Sequence, residues 1–134
     1  MLTPDFTRYS LALFHEGRII FYSEKGGLRP LAECIRACRD RFSGCELHDR
    51  VIGLAAAKLV VASGMIGRVI TRTASAPAMA FLEEKAIPLT AGEVVPRILN
   101  REKSAPCPME QKAEATADPE TLFRELSTLF GLQP

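Results

Sequence analysis

The fold is decided by DRVIGLAAAKLVVA, residues 49–62. Nearly every residue from Val51 to Ala62 is apolar or small, which predicts a helix with no polar side. Asp49 is a good N-cap for it, because a carboxylate can accept the unpaired N–H groups of a first helical turn. A helix of this kind is covered on most of its faces. We therefore expect it at the centre of the molecule, packed on a sheet.

Two strands and one helix are predicted before this central helix. Apolar runs over Ser10–Phe14 and Arg18–Tyr22 flank Gly17, which supplies the positive φ that a tight hairpin turn often needs. Pro30 suits the first turn of a helix. An apolar stripe at three- and four-residue steps then predicts a helix to about Ser43.

The elements after the central helix alternate. Arg68–Ala74 is rich in strand-forming residues, and the order strand, helix, strand implies a right-handed crossover with parallel pairing. Ser75 can cap a helix over Ala76–Lys85. We expect a short strand at Ile87–Thr90 and two helical turns at Glu93–Asn100.

The last part of the chain divides into a connector and a helix. Residues 101–118, rich in Pro, Ala, Lys and Glu, are interpreted as a connector, and Asp118 caps an amphipathic helix over residues 119–131. A length of 134 residues favours one domain, residues 1–134, with its core at about 8–100.

Composition excludes several classes of function. A formal charge of +1 gives no electrostatic reason to expect nucleic-acid binding, and the apolar runs are far shorter than the roughly 20 residues of a membrane span. The first ten residues contain no uninterrupted apolar core, so we expect a cytoplasmic protein. Four cysteines in such a compartment are expected as free thiols.

The cysteines and one histidine raise the question of a metal site. Cys34, Cys38, Cys45 and His48 supply the ligand types of tetrahedral zinc. Their spacing does not form the short Cys-x2-Cys pair typical of such sites, and two of them lie in a helical apolar stripe. The pattern favours buried thiols that pack in the core, with no metal and no cofactor.

Three polar residues near the central helix allow two readings each. Asp49 is either a helix cap or a carboxylate of a site, and Lys58 either reaches water along its stem or enters a pocket. Ser75 is either a cap or a ligand-binding group, because open α/β sheets bind ligands at the carboxyl ends of their strands.

Cys107 lies outside any apolar stripe, in the segment Ala105 to Glu110. Two prolines stiffen this segment and can hold the Cys107 thiol and the Glu110 carboxylate in a fixed relation. The thiol is either an unreactive loop residue or part of a functional site. No glycine loop of the kind that cradles phosphate accompanies it.

The order of elements resembles the cytidine-deaminase-like fold. The chain up to about residue 111 is similar to an uncharacterised family, a domain of unknown function assigned to that fold. The resemblance implies a three-layer α/β/α arrangement with a mixed sheet of four to five strands that begins with an antiparallel hairpin. It is carried by Tyr22-Ser23, Gly27 to Leu31, Asp49 to Ala57, Ser75 to Ala78, Asn100-Arg101 and Cys107 to Glu110.

The chain departs from working deaminases of this fold. Such enzymes place a proton-shuttling Glu at the start of the second helix and Pro-Cys-x-x-Cys at the start of the third. Arg50 stands at the first of these positions, and residues 77–81 contain neither cysteine. The resemblance therefore implies the scaffold and a cleft suited to a nucleotide-like molecule, without zinc-dependent deamination.

The sequence thus favours a protein that binds a nucleotide-like small molecule. In this interpretation Asp49 orients the ligand, Ser75 and the adjacent helix receive a polar or anionic group, and Cys107 with Glu110 closes the site. Further ligand-binding candidates are Lys58, Asn100 and Arg101. The alternatives are a cysteine-dependent transferase or hydrolase that uses Cys107, and a non-catalytic module that forms a homodimer through an exposed sheet edge or the final helix.

Overall fold

The computed structural model describes residues 2–100, 102–105 and 107–132. Over these residues five strands form one mixed sheet in the order β2-β1-β3-β4-β5. The strands are β1 Leu11–His15, β2 Arg18–Ser23, β3 Cys45–Ile52, β4 Ile66–Ser75 and β5 Leu89–Val95. The helices are α1 Arg29–Cys38, α2 Leu54–Ser63, α3 Ala76–Glu84, α4 Pro108–Ala115 and α5 Pro119–Leu129. The predicted α/β class and the mixed sheet that begins with a hairpin are confirmed.

The hairpin forms for the reason that the sequence indicates. Glu16 and Gly17 have φ of 51° and 80°, the left-handed pair typical of a two-residue turn between antiparallel strands. β1 also pairs antiparallel with β3, and β3 pairs parallel with β4. The predicted parallel pairing is therefore confirmed, although its partner is a strand that the sequence did not predict.

The strand β3 corrects the expectation around Asp49. Residues 45–52 form a strand in the middle of the sheet, and the central helix begins at Leu54 instead of Val51. Asp49 thus lies within a strand and is not the N-cap of α2, whose cap residue is Gly53. The helix predicted to reach Ser43 ends at Cys38, because Arg39 turns to an extended conformation and Asp40 has a φ of 72°.

The second half of the chain combines confirmed and wrong predictions. β4 contains the whole of the predicted strand Arg68–Ala74, and the Ser75 Oγ accepts a hydrogen bond from Ala78 N at 3.2 Å as the cap of α3. β5 replaces the helical turns expected at Glu93–Asn100, and α4 occupies part of the expected connector. The final helix is confirmed, with the Asp118 carboxylate accepting from Thr121 N at 3.0 Å.

Helix α2 lies at the centre of the molecule, as predicted. It contacts β3 and β4 of the sheet and all four other helices. Ala57 and Leu59 are fully buried, and they pack in one core with Leu13 of β1 and Leu47 of β3. Contact on all sides explains why α2 has no polar face. No helix in the described ranges is long and apolar enough to cross a membrane.

The other face of the sheet carries a polar cluster. Side chains alternate along a strand, so His48 points away from the face of Leu47. The His48 Nε2 lies 2.8 Å from the Glu46 carboxylate, and its Nδ1 lies 3.3 Å from the Tyr9 hydroxyl. Residues 2–10 thus cover part of this side, which we call the helix-free face. The five described helices pack together on the opposite side, around α2, so the α/β/α arrangement with helices on both faces of the sheet, which the resemblance implies, is not found.

Candidate functional site

A cavity of about 390 Å³ opens where the carboxyl end of β3 meets the N-terminus of α2. Its walls come from parts of the chain that are distant in sequence. They include Asp49 of β3, Gly53 before α2, and Cys107 and Glu110 at the start of α4, together with the loop 25–28. The structure therefore brings together Asp49, Cys107 and Glu110, three of the residues predicted from the sequence.

Asp49 lies on the cavity wall in the middle of the sheet, paired with Leu11 of β1 and Thr71 of β4. Burial raises the pKa of its carboxyl from 3.8 to about 8, although hydrogen bonds from the backbone of Val51 and Arg50 act in the opposite direction. The carboxyl is therefore largely protonated near neutral pH. In that state it can donate a hydrogen bond as well as accept one.

Glu110 caps α2 from a distant part of the chain. Its carboxylate accepts hydrogen bonds from Leu54 N at 2.7 Å and from Ala55 N at 3.4 Å. Gly53 makes this approach sterically feasible, since a Cβ at that position would lie only 2.1 Å from the Glu110 Oε1. The N-cap function expected of Asp49 is thus performed by a residue of α4.

Opposing effects act on the pKa of Glu110. Burial raises the pKa of its carboxyl, the two backbone hydrogen bonds lower it, and the nearby Glu114 raises it again, with a net increase. Because the N–H groups of Leu54 and Ala55 are already bonded to Glu110, an anionic ligand would have to displace this side chain to bind them.

Cys107 differs from the other cysteines in its position. It is partly exposed and lines the cavity, whereas Cys34, Cys38 and Cys45 are buried. Burial raises the pKa of each of these three thiols. They pack in the core, as the apolar stripe predicts. Within the described residues no group of three or more His, Cys, Asp or Glu side chains could hold a metal ion.

Lys58 is not part of the cavity wall. Its Nζ donates hydrogen bonds to Ala113 O at 2.7 Å and to Thr116 O at 2.8 Å, at the C-terminal end of α4. Burial lowers the pKa of this amine. The charge predicted to enter a pocket or reach water instead binds the carbonyl groups of a neighbouring helix.

The remaining predicted ligand-binding residues also lie elsewhere. Ser75 is buried as the cap of α3 and does not line the cavity. The Asn100 side chain closes its own loop by accepting a hydrogen bond from Ser104 N at 3.0 Å. Arg101 lies outside the described residues.

Other cavity residues were missed by the sequence analysis. Lys25 and Arg72 bring positive charge to the rim, and Leu28, Ile98 and Met109 supply apolar walls. The side chain of Arg72 makes no hydrogen bond or ion pair with any described residue. No local pattern identifies these residues, because they meet only when β2, β4 and α4 converge. The Pro-Cys-Pro-Met-Glu segment was the one signal that did point to this wall.

These features define a small α/β protein with a cavity at the carboxyl end of a central strand. The family model TM1506, described as a domain of unknown function (DUF1893), matches residues 5–130. The chain belongs to this family, and the match includes the whole of α5, which was expected to lie outside it.

One solved structure is similar over most of its length. It is the crystal structure of a DUF1893 family protein (TM1506) from Thermotoga maritima at 2.70 Å resolution. The TM-score is 0.80 at 26% sequence identity, over 91% of this chain and 81% of that chain. No curated protein matches. The predicted membership of an uncharacterised family is confirmed, and the similarity to deaminases stays a prediction.

Proposed function

We propose that the cavity binds an acidic, nucleotide-like small molecule. The observation that carries the proposal is the convergence of Asp49, Cys107 and Glu110 on one cavity of about 390 Å³, within the size range of small-molecule sites. Perturbed carboxyl groups in such a cavity are typical of functional sites. Both carboxyl groups here have raised pKa values.

The polar end of the cavity suits a hydrogen-bonding ring. A protonated Asp49 can donate to a ring nitrogen or carbonyl while its second oxygen accepts from an amino group. Leu28, Ile98 and Met109 supply apolar surface against which a flat ring can pack. This combination of apolar wall and few polar groups is the usual composition of a ligand site.

The anionic part of the ligand is assigned to the cationic rim. Glu110 already occupies the N–H groups of α2, and Ser75 lies outside the cavity, so neither position expected from the sequence is free to take a phosphate. Arg72 and Lys25 are the cations that line the described cavity beside Arg50, whose guanidinium is bonded to Phe6 O. A phosphate at the rim would pair with Arg72.

A thermal-shift series tests this function. Nucleosides, nucleoside monophosphates and dinucleotides are compared, and a ligand at 100 times its Kd adds about 2.7 kcal/mol of stability. We expect monophosphates to stabilise more than their nucleosides, and Arg72→Gln to remove that difference. Arg68→Gln, an exposed arginine of the same strand outside the cavity, is the matched control. Absence of stabilisation by every compound would refute the proposal.

A cysteine-dependent transferase or hydrolase is the second candidate. It is favoured by the position of Cys107, which lines the same cavity as Glu110 and is partly exposed. Selective alkylation of Cys107 near neutral pH, together with turnover that Cys107→Ala abolishes while Cys38→Ala retains it, would support this reading. Labelling of Cys107 no faster than that of an unfolded peptide would argue against it.

A further inference from the structure

Strand β2 leaves one edge of the sheet open. It pairs with β1 on its inner side, and no strand of the described chain lies on its outer side. Ile19 is 44% exposed and Tyr22 is 62% exposed. An open edge with exposed apolar side chains is a template for pairing with another chain.

The side chains of β2 are distributed between the two faces of the sheet in a palindromic order. Ile19 and Tyr22 pair with Phe14 and Ala12 of β1, so both lie on the helix-free face. A bulge in the pairing of β1 with β2 lets both Ile20 and Phe21, the residues between them, pack toward the core. Ile19 and Tyr22 therefore point to the helix-free face, and the other four residues of the strand point to the side of the helices. The order of faces is the same when the strand is read in either direction.

A palindromic order of this kind fits a second copy of the same strand. If two β2 strands meet antiparallel about a twofold axis, each residue lies opposite one from the same face. Ile19 then lies opposite Tyr22 of the other copy, twice by symmetry. Pairs of an aromatic and a β-branched side chain across neighbouring strands are stabilising.

The charges at the ends of β2 are complementary in the same alignment. Arg18 begins the strand and Glu24 follows its last residue. Neither side chain makes an ion pair or a hydrogen bond with another residue in the described ranges. The twofold alignment places Arg18 of each copy opposite Ser23 of the other and one position from Glu24, so the charges near each end of the shared edge are opposite in sign.

We propose that the outer edge of β2 is an interface between two copies of this chain. The bulge interrupts the regular edge, so side-chain pairs carry much of the contact. A six-residue strand forms a short interface, which predicts a weak dimer that appears as the protein concentration rises. The proposal does not depend on the function of the cavity.

Analytical ultracentrifugation over a concentration series tests the interface. We expect Arg18→Glu and Glu24→Arg each to weaken the dimer by at least about tenfold, because each places like charges together. The double variant Arg18→Glu/Glu24→Arg restores the opposite charges and is expected to recover association. Arg124→Glu makes the same charge change at an exposed position of α5, a helix that packs on α2, and should leave association unchanged.

Two results would overturn the proposal. One is a monomeric wild-type protein at every concentration up to the millimolar range, and the other is a dimer that the single charge reversals leave unchanged. Tyr22→Ser supplies an uncharged variant at an exposed position, with circular dichroism as the check on folding. It is also expected to weaken the dimer, and a folded Tyr22→Ser protein that associates like the wild type would contradict the assigned pairing.

Discussion

The Asp49 carboxyl lies on a wall of the cavity where the surrounding protein favours its neutral form. Asp49 is only partly exposed, and the backbone hydrogen bonds of Arg50 and Val51 replace only part of the water that its carboxyl loses on folding. The same residue at a helix terminus would be ionised and stabilised by the helix dipole. The position of Asp49 in β3 therefore determines the protonation state of its carboxyl.

The raised pKa of Asp49 makes stability depend on pH. The native state keeps a proton that the unfolded chain releases, so this contribution is greatest below pH 3.8 and is lost as the pH rises to about 8. The free energy of unfolding should fall by at most about 1.4 kcal/mol per pH unit in that window. Urea denaturation of wild type and Asp49→Asn measures it, and the variant should show a smaller fall.

Glu110 has a raised pKa and contributes in the same direction, so Glu110→Gln is measured alongside. The lowered pKa of Lys58 acts in the opposite direction, because the native state releases a proton that the unfolded chain keeps. Equal pH slopes for the wild type and Asp49→Asn would contradict the assigned environment of Asp49.

Gly53 is the residue that allows α4 to cap α2. A Cβ at this position would overlap the Glu110 carboxylate and lie 3.0 Å from Ile98 Cγ1. We expect Gly53→Ala to lower the free energy of unfolding by about 1–3 kcal/mol, as overpacking does. Gly67→Ala is the control, because its Cβ would meet nothing closer than 3.9 Å.

A double-mutant cycle separates the two contacts of Gly53. In a Glu110→Ala background the effect of Gly53→Ala should shrink, because only the approach to Ile98 remains. An unchanged effect would mean that the glycine does not serve the Glu110 cap.

At the scale of elements, α2 and α4 are joined by two groups of opposite charge. Glu110 of α4 binds the N–H groups at the start of α2, and Lys58 of α2 binds the last carbonyl groups of α4. Ala113 is the one residue of α4 that is fully buried, so apolar packing holds this helix only weakly. Polar contacts with α2 therefore position a wall of the cavity.

Lys58→Met tests this attachment. The change retains the aliphatic stem but leaves Ala113 O and Thr116 O without their donor, which should lower stability by about 1–3 kcal/mol. Amide hydrogen exchange should accelerate most in α4. Lys112→Met is the matched control, because the ion pair of Lys112 with Glu125 is exposed and worth at most about 1 kcal/mol. Equal effects of the two substitutions would refute the attachment.

The elements that the sequence predicted are those with local signals. Gly17 marks the hairpin turn, and Asp118 followed by proline marks the start of α5. Strand β3 lacked such a signal, because Glu46 and His48 are polar residues in a central strand. They are tolerated there since they bond to each other and to residues 2–10. These partners are distant in sequence.

The candidate site was predictable to a similar degree. Asp49, Cys107 and Glu110 were identified by residue type and neighbouring sequence, and they do meet in the cavity. The role of Glu110 as the cap of α2 could not be predicted, because Leu54 lies 56 residues away. α4 and the edge strand β5 bury few apolar side chains, so their sequences carry little periodic pattern.

At the scale of the whole molecule, α5 completes the cover of the central helix. Leu122, Phe123 and Leu126 are almost fully buried and belong to the same core as α2 and the sheet. Removal of this cover would expose a helix that has no polar face. The final helix thus packs in the same core as the sheet, and the single domain stays a prediction.

A substitution in α5 should therefore destabilise the sheet as well as the helix. Phe123→Ala removes a ring that is 2% exposed and should lower the free energy of unfolding by about 3–5 kcal/mol. Leu129→Ala, at a position that is 60% exposed, should change it by less than about 0.5 kcal/mol. Circular dichroism measures the loss of helical structure, and amide exchange in β1 measures the stability of the sheet. In one cooperative unit both report the same loss of stability, because α2 contacts α5 on one side and the sheet on another. A separate early transition of α5, with exchange in β1 unchanged, would show that the final helix folds independently.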